Sequence, residues 1–492
     1  MILLKNCRAV AQPHVKPAPG EPGVSTDLRG VDILIVGNRI AAIGKNLALP
    51  PPPIRPAPGA AAVGAGTRGF EAAVGDDGER RVIDASRLVV LPGMVNTHHH
   101  FVQTLTRAAP GAQDAKLFDW LVYLYEIWKN IDEESIYWSS RLALAELALT
   151  GATCSTDHHY LYPASRTIDI PALQFGAAAD IGVRFAPTRG SMSMSKKDGG
   201  LPPDTCVQDE DRILADTEAA IQKFNDPSPD SMRRLTIGPC SPFTVSESLM
   251  TKSADLGRKL GVRLHTHLAE TADEDDFCMS MFNRRPLALM EDTGFIGDDV
   301  WYAHGIFFQD AELDTLAREG AGVAHCPSSN MRLGSGICRV HEMLARGMKV
   351  GIGVDGSASN DSSDMLGEVR QAMLLQRVKY GSTALSAREA LRMASEHGAH
   401  MLGFEETGRI AEGMLADLAL FDVDKLGYAG ASTDPVASLV FCGGDHRAAY
   451  VLANGKVIVD GGRLVGLDEE EIRSRADAES RKLFTKAGIP VY

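Results

Sequence analysis

The chain has no C-x-x-C pair: its eight cysteines stand singly at 7, 154, 206, 240, 278, 326, 338 and 442. That spacing excludes a zinc knuckle and offers no disulfide framework, so free thiols in a reducing, cytoplasmic setting are the expectation. No apolar run approaches the roughly 20 residues that a bilayer crossing needs. The opening Met1-Ile2-Leu3-Leu4-Lys5-Asn6 has no basic segment followed by a long apolar core, so no secretory leader is read there. Positive charge is scarce too: 50 Lys and Arg stand against 64 Asp and Glu, a formal net charge of -14. A surface of that sign argues against nucleic-acid binding through the backbone.

What is present is length and a soluble composition. The 492 residues, 44% hydrophobic and 23% charged, suffice for one large barrel and a smaller domain. Two strand-like runs, Asp32–Val36 and Arg39–Ile43, flank Gly37-Asn38, a hairpin signal. Residues 47–80 are rich in Pro, Gly and Ala and read as an extended surface insertion. From about residue 85, short apolar runs alternate with amphipathic stretches. The strand candidates are 88–96, 152–157, 183–189, 235–241, 263–268, 300–303, 322–326 and 350–354. Eight strands alternating with helices over about 300 residues predict an α/β chain built on a (β/α)8 TIM barrel. Strand patterns return at 416–421 and around Asn454-Gly455, and a charged helical stretch follows at 468–486. The two β-rich ends are expected to form one small β-sandwich. The divisions read as 1–87 for its N-terminal part, 88–403 for the barrel, and 404–492 for its C-terminal part plus a terminal helix.

In such a barrel, chemistry sits at the C-terminal strand ends. The first strand runs into His98-His99-His100, where alternation puts His98 and His100 on one face and His99 on the other. The fifth runs into His265-Thr266-His267-Leu268-Ala269-Glu270, the sixth into His304 and the eighth into Asp355. His98, His100, His267 and Asp355 make a donor set suited to one zinc or similar divalent ion with a position left for water. Glu270 is placed as a general acid/base beside it. Trp120 and Tyr123 are candidates to stack on a flat ring, Cys326 reads as a small buried residue, and His158, His159 and His325 read as supporting or pocket-lining residues.

Pro92-Gly93 with His98-x-His100, then His267-x-x-Glu270, His304-Gly305 and Val354-Asp355-Gly356, together resemble the amidohydrolase superfamily. Strand four, Thr236-Ile237-Gly238-Pro239-Cys240-Ser241-Pro242, lacks the lysine usual in two-metal members, so the resemblance points to the one-metal deaminase branch. It implies that His98, His100, His267 and Asp355 hold the metal, Zn2+ first and Fe2+ as the alternative, and that Glu270, His304 and Asp355 are catalytic. Gln103 matches a position at which guanine deaminases read the purine edge, and an amide both donates and accepts. Arg189, ending strand three, could hold a carbonyl oxygen or ring anion through a forked contact. Between the motifs, Ala112–Leu121, Asp157–Tyr160, Asp198–Asp204 and His325–Leu333 are similar to the 8-oxoguanine deaminases, a group whose motifs triazine aminohydrolases and isoxanthopterin deaminases partly share. His158-His159 departs from that group, where one histidine followed by an aliphatic residue is expected. The implied activity is hydrolytic deamination of a small heterocycle, 8-oxoguanine to urate and ammonia, with guanine, isoxanthopterin, cytosine or a hydroxy-triazine as alternatives. A homo-oligomer with neither nucleic acid nor membrane as partner is expected.

Overall fold

A computed structural model describes residues 1–13, 26–50, 80–163, 166–442 and 444–491. Most of the 47–80 insertion therefore lies outside the described residues. The largest sheet is parallel throughout. Its segments are β1 (Met94–Asn96), β2 (Ala152–Ser155, resumed at His158–His159), β3 (Arg184–Phe185, resumed at Thr188–Ser191), β4 (Thr236–Pro239), β5 (Leu264–Leu268), β6 (Val300–His304), β7 (Gly322–His325) and β8 (Val350–Ile352). The sheet has ten segments, but 184–185 beside 152–155 and 188–191 beside 158–159 keep one register, Arg184 opposite Cys154 and Thr188 opposite His158. The ends of the sheet are thus two halves of the same strand pair. With β8 pairing back onto β1, the sheet closes into an eight-stranded (β/α)8 barrel.

Helices follow from local signals. The stretch Glu247–Leu260 begins where Ser246 accepts a hydrogen bond from Leu249 N and ends at Gly261, whose φ is 66°. It buries Leu249, Met250, Ser253, Ala254 and Gly257, one helical stripe, against the barrel wall.

Both termini build the second layer. A four-stranded sheet in the order 39–44, 31–36, 2–7, 81–84 faces a six-stranded one in the order 9–10, 88–92, 418–422, 450–453, 456–460, 463–464. Ile2, Leu4, Ile33, Ile35 and Ile83 pack against Val90, Leu418, Leu420 and Leu452 between them. The Asn454-Gly455 hairpin turn forms as expected, with φ of 50° and 75°.

The apolar run 88–96, expected as one barrel strand, is divided. Leu88–Pro92 pairs antiparallel with Leu418–Asp422 in the sandwich, and only Met94–Asn96 enters the barrel. Gly93 is the hand-over point, and a Cβ there would fall 2.2 Å from Thr153 Oγ1. The chain changes layers where only glycine fits against β2.

The layers are also joined by a buried ion pair. Arg184 Nε donates to Asp417 Oδ2 at 2.7 Å, and both side chains are fully buried. The remaining guanidinium donors reach Asp417 Oδ1, Asn454 Oδ1 and the carbonyls of Asp230 and Ser231. Removing one partner leaves an uncompensated buried charge, so Asp417→Ala should cost about 3–5 kcal/mol. A urea denaturation midpoint unchanged by this substitution would refute that role.

Candidate active site

The strand ends of β1, β5, β6 and β8 converge at the barrel mouth. His100 Nδ1 donates to His158 O at 2.7 Å, and His267 Nδ1 to Cys240 O at 2.6 Å. Both rings are thereby held with Nε2 bare. His98 reaches the same state through a relay. His265 Nδ1 donates to Trp301 O at 2.8 Å, which leaves His265 Nε2 to accept from His98 Nδ1 at 2.8 Å. Three lone pairs therefore face one another in a buried space. His100 Nε2 and His267 Nε2 lie 3.1 Å apart with no proton to share, and His98 Nε2 is buried without a hydrogen-bond partner among the described residues. Asp355 Oδ1 stands 3.4 Å from His98 Nε2 and 3.5 Å from His100 Nε2. Bare nitrogens crowded around a carboxylate fit a cation, and carbonyl acceptors behind the rings are the usual support of metal-ligating histidines.

The electrostatics agree. Burial lowers the pKa of His98, His100 and His267, keeping them neutral. Burial alone would raise Asp355, but the contact with His98 and the neighbouring histidines hold it well below its ordinary range. Burial pushes Glu270 up to about 7, against the pull of His304. Glu270 Oε2 lies 3.5 Å from His304 Nε2, which is 3.9 Å from Asp355 Oδ2. Burial also disfavours the charged form of His304, yet Glu270, Asp355 and Asn330 outweigh it and raise its pKa. Its Nδ1 pairs with Asn330 Oδ1 at 3.0 Å.

Of these groups, His100, His267, Glu270, His304 and Asp355 line a cavity at the barrel mouth. Leu117, Trp120, Leu121, Tyr125, Phe243 and Leu333 form its apolar wall, and Gln103, Tyr160, Ser241 and Ser359 supply neutral polar groups. Gln103 rides on a 3-10 turn, Phe101–Thr106, directly after His100. Its amide presses on Gly356, where a Cβ would fall 1.9 Å from Gln103 Oε1. The glycine after Asp355 is thus required by the glutamine.

Arg189 lies elsewhere. Thr188 faces His158 and Gly238 inside the barrel, so strand alternation turns Arg189 outward. There it lies over the Tyr162 ring at 3.8 Å and donates to Gln208 Oε1 at 2.9 Å. Trp120 lines the cavity, whereas Tyr123 packs on Gly111. His158 stacks on His267 at 4.7 Å, and His159 Nε2 pairs with Leu161 O. Cys326 and His325 are buried and line no part of the cavity. Sequence reasoning assigned no role to His265, Tyr160, Ser359 or Asn330. Tyr160 directly follows His159, Ser359 lies on the turn after β8, and Asn330 lies on the short helix Pro327–Arg332 after β7.

His99 faces away from the lone pairs. Its Nδ1 accepts from His100 N at 2.8 Å, and its Nε2 pairs with Ser363 Oγ at 3.1 Å. An asparagine can replace the first contact, so His99→Asn should lose no more than the 10–100-fold of a supporting residue. His98→Asn should lose the ion. Metal content and turnover, compared side by side, decide this; equal losses would refute the two-faced arrangement.

The amidohydrolase family profile matches residues 89–458. The chain is 45% identical to the 8-oxoguanine deaminase of Pseudomonas aeruginosa over 403 residues, which cover 82% of this chain and 89% of the relative. It is 34% identical to an isoxanthopterin deaminase from an unknown prokaryotic organism, over 94% of this chain and 93% of the relative. The crystal structure of atrazine chlorohydrolase from Arthrobacter aurescens TC1 complexed with zinc superposes with a TM-score of 0.85 at 29% identity, covering 98% of this chain and 100% of that one. The matched span takes in every converging strand end, and the chain belongs to the amidohydrolase family.

Proposed function

We propose that the protein is a metal-dependent hydrolytic deaminase of a flat, neutral amino-heterocycle, with 8-oxoguanine, converted to urate and ammonia, as the preferred substrate. The observation that carries this reading is the lining of the cavity. Among the described residues, no lysine or arginine lines it. Beyond the ion and His304, a phosphate or carboxylate on the substrate would find no lysine or arginine to pair with, whereas a fused ring would lie along the Leu117–Trp120–Leu121 wall. The 8-oxoguanine deaminase relative supports the choice of ring.

His98, His100, His267 and Asp355 would hold one divalent ion, Zn2+ or alternatively Fe2+, which when bound activates water for attack near neutral pH. Asp355 Oδ2, with Ser359 Oγ 3.4 Å away, would take the proton released by the attacking water. Glu270 would deliver a proton from its carboxyl group to a ring nitrogen, so that electrons released by attack on the amino-bearing carbon are accommodated in the ring. His304, steadied by Asn330, would hold the attacking oxygen in line. Gln103 would pair with a lactam edge, donating from Nε2 and accepting at Oε1. The amine would leave as ammonia after a second proton transfer, from Asp355, and as the carbonyl forms the remaining proton of the former water would return to the Glu270 carboxylate.

The test is metal-loaded protein offered 8-oxoguanine, guanine, isoxanthopterin, cytosine and a hydroxy-triazine, with ammonia release measured. Fastest release from 8-oxoguanine is expected, and none from it would refute the substrate assignment. A hydroxy-triazine losing an alkylamine is the second reading, favoured by the apolar wall at Phe243 and Leu333, which suits an alkyl group.

A further inference from the structure

Glu270 faces the cavity with no hydrogen bond to its carboxylate from any described residue; burial and the charges of His304 and Asp355 are the influences on it. Its carboxylate has His304 Nε2 at 3.5 Å, longer than a close charge-assisted hydrogen bond, so its placement falls largely to its backbone, and here that backbone is held on both edges. Ala269 N donates to Glu274 Oε1 at 2.9 Å, and Glu270 N donates to Glu274 Oε2 at 3.0 Å. Opposite, Leu268 O accepts from Gly305 N at 3.1 Å, and Ala269 O accepts from Ile306 N at 2.8 Å and Phe307 N at 3.0 Å. The same peptide units therefore connect Glu274 to the turn that carries His304.

That segment is strained. Ala269 has a φ of 55° and His304 one of 73°, values that side-chain-bearing residues keep only where the surroundings impose them. Glu274 itself is fully buried in the first turn of helix Ala272–Phe282. A buried carboxylate is costly unless hydrogen-bonded, and the two amides are the only such partners it has among the described residues. The arrangement is expensive for a fold that needs only a turn. It makes sense if the placement of Glu270 matters.

We propose that Glu274 is a positioning residue for proton transfer: its carboxylate clamps the Ala269 and Glu270 amides and so aims the Glu270 carboxyl at His304 and the substrate ring. This rests on the proton-transfer role proposed for Glu270. A glutamine at 274 can accept from one amide but turns its own NH2 on the other. A misplacement of about 1 Å at a reacting group can cost about 10²-fold. In metal-loaded full-length protein, with the ring substrate turned over fastest in the panel above, Glu274→Gln should lower kcat by about 10–100-fold. KM and metal content should stay at the wild-type level. Glu274→Asp keeps a carboxylate on a shorter stem and should fall between the two.

A double-mutant cycle separates positioning from a general loss of folded protein. If Glu274 acts through Glu270, the Glu270→Gln/Glu274→Gln protein should be no slower than Glu270→Gln alone. Losses that multiply in the double variant would overturn the inference. So would wild-type kcat in Glu274→Gln or, should that variant fail to fold, in Glu274→Asp. Wild-type turnover by Glu270→Gln would instead refute the role of Glu270 itself, so the two failures are told apart.

Discussion

Glu270→Gln should lower turnover by about 10²–10⁴-fold, the range of a lost general acid/base, while the bound metal stays at wild-type level. Glutamine has the same shape, and Glu270 is not among the groups that converge on the bare histidine nitrogens, so the ion has no reason to leave. What disappears is an exchangeable proton at the ring. Burial pushes the Glu270 carboxyl up to about 7, so near neutrality it exists in both forms and can donate and recover a proton. As pH rises through that value the protonated form is lost, and a step that needs the acid should slow on the alkaline side. That alkaline limb, recorded as kcat against pH, should vanish in the glutamine variant, whose residual rate has no carboxyl to titrate. Persistent turnover, or an unchanged alkaline limb, would refute the assignment of the acid.

How far the sequence showed all this depends on what each residue's position rests on. His98 and His100 were legible because a strand turns alternate side chains to one face, and His267 because it stands near a strand end, whereas His265, two residues before it, was given no role. The i, i+2 spacing is then a statement about geometry. Arg189 was read from its place at the end of strand three, which says nothing of its face: β3 is interrupted between Phe185 and Thr188, and which face follows an interruption is set by the neighbouring strands. The division of 88–96 at Gly93 was hidden for a related reason. An apolar run reads alike whether it is buried in one sheet or shared by two, and the decision rests with Asp417 and Gly151, whose carbonyls accept from Gly93 N and Met94 N. Tyr160 and Ser359 had no periodic signal because they sit on loops, and Asn330 sits on a helix of six residues, too short to show one; all three acquire meaning only when the barrel closes. Glu274 looked like any acidic residue early in a helix; its two amide partners precede it by four and five residues across a turn.

Stripping the metal should abolish turnover and lower the melting temperature together, and restoring Zn2+ should return both. The stability change follows from the lone pairs. With Nδ1 of His100 and His267 committed to backbone carbonyls, the 3.1 Å approach of their Nε2 atoms is repulsive unless a cation lies between. Mass action adds about 4 kcal/mol when the free ion is at 1,000 times its dissociation constant. The pH dependence has a definite sign. Burial holds His98, His100 and His267 below the ordinary 6.5, so below 6.5 the unfolded chain binds protons that the folded site refuses. Stability should therefore fall as pH drops through 6.5, by about 1.4 kcal/mol per unit for each such histidine. The metal-loaded form should lose its advantage on the same side, because the ligands must stay unprotonated to bind. Melting curves of stripped and reconstituted protein between pH 5 and 8 read this directly, and parallel reconstitution with Fe2+ ranks the two ions. Full turnover in chelated protein, with metal absent by elemental analysis, would refute the cation site. A melting temperature indifferent to chelation would leave the bare nitrogens without the role assigned to them.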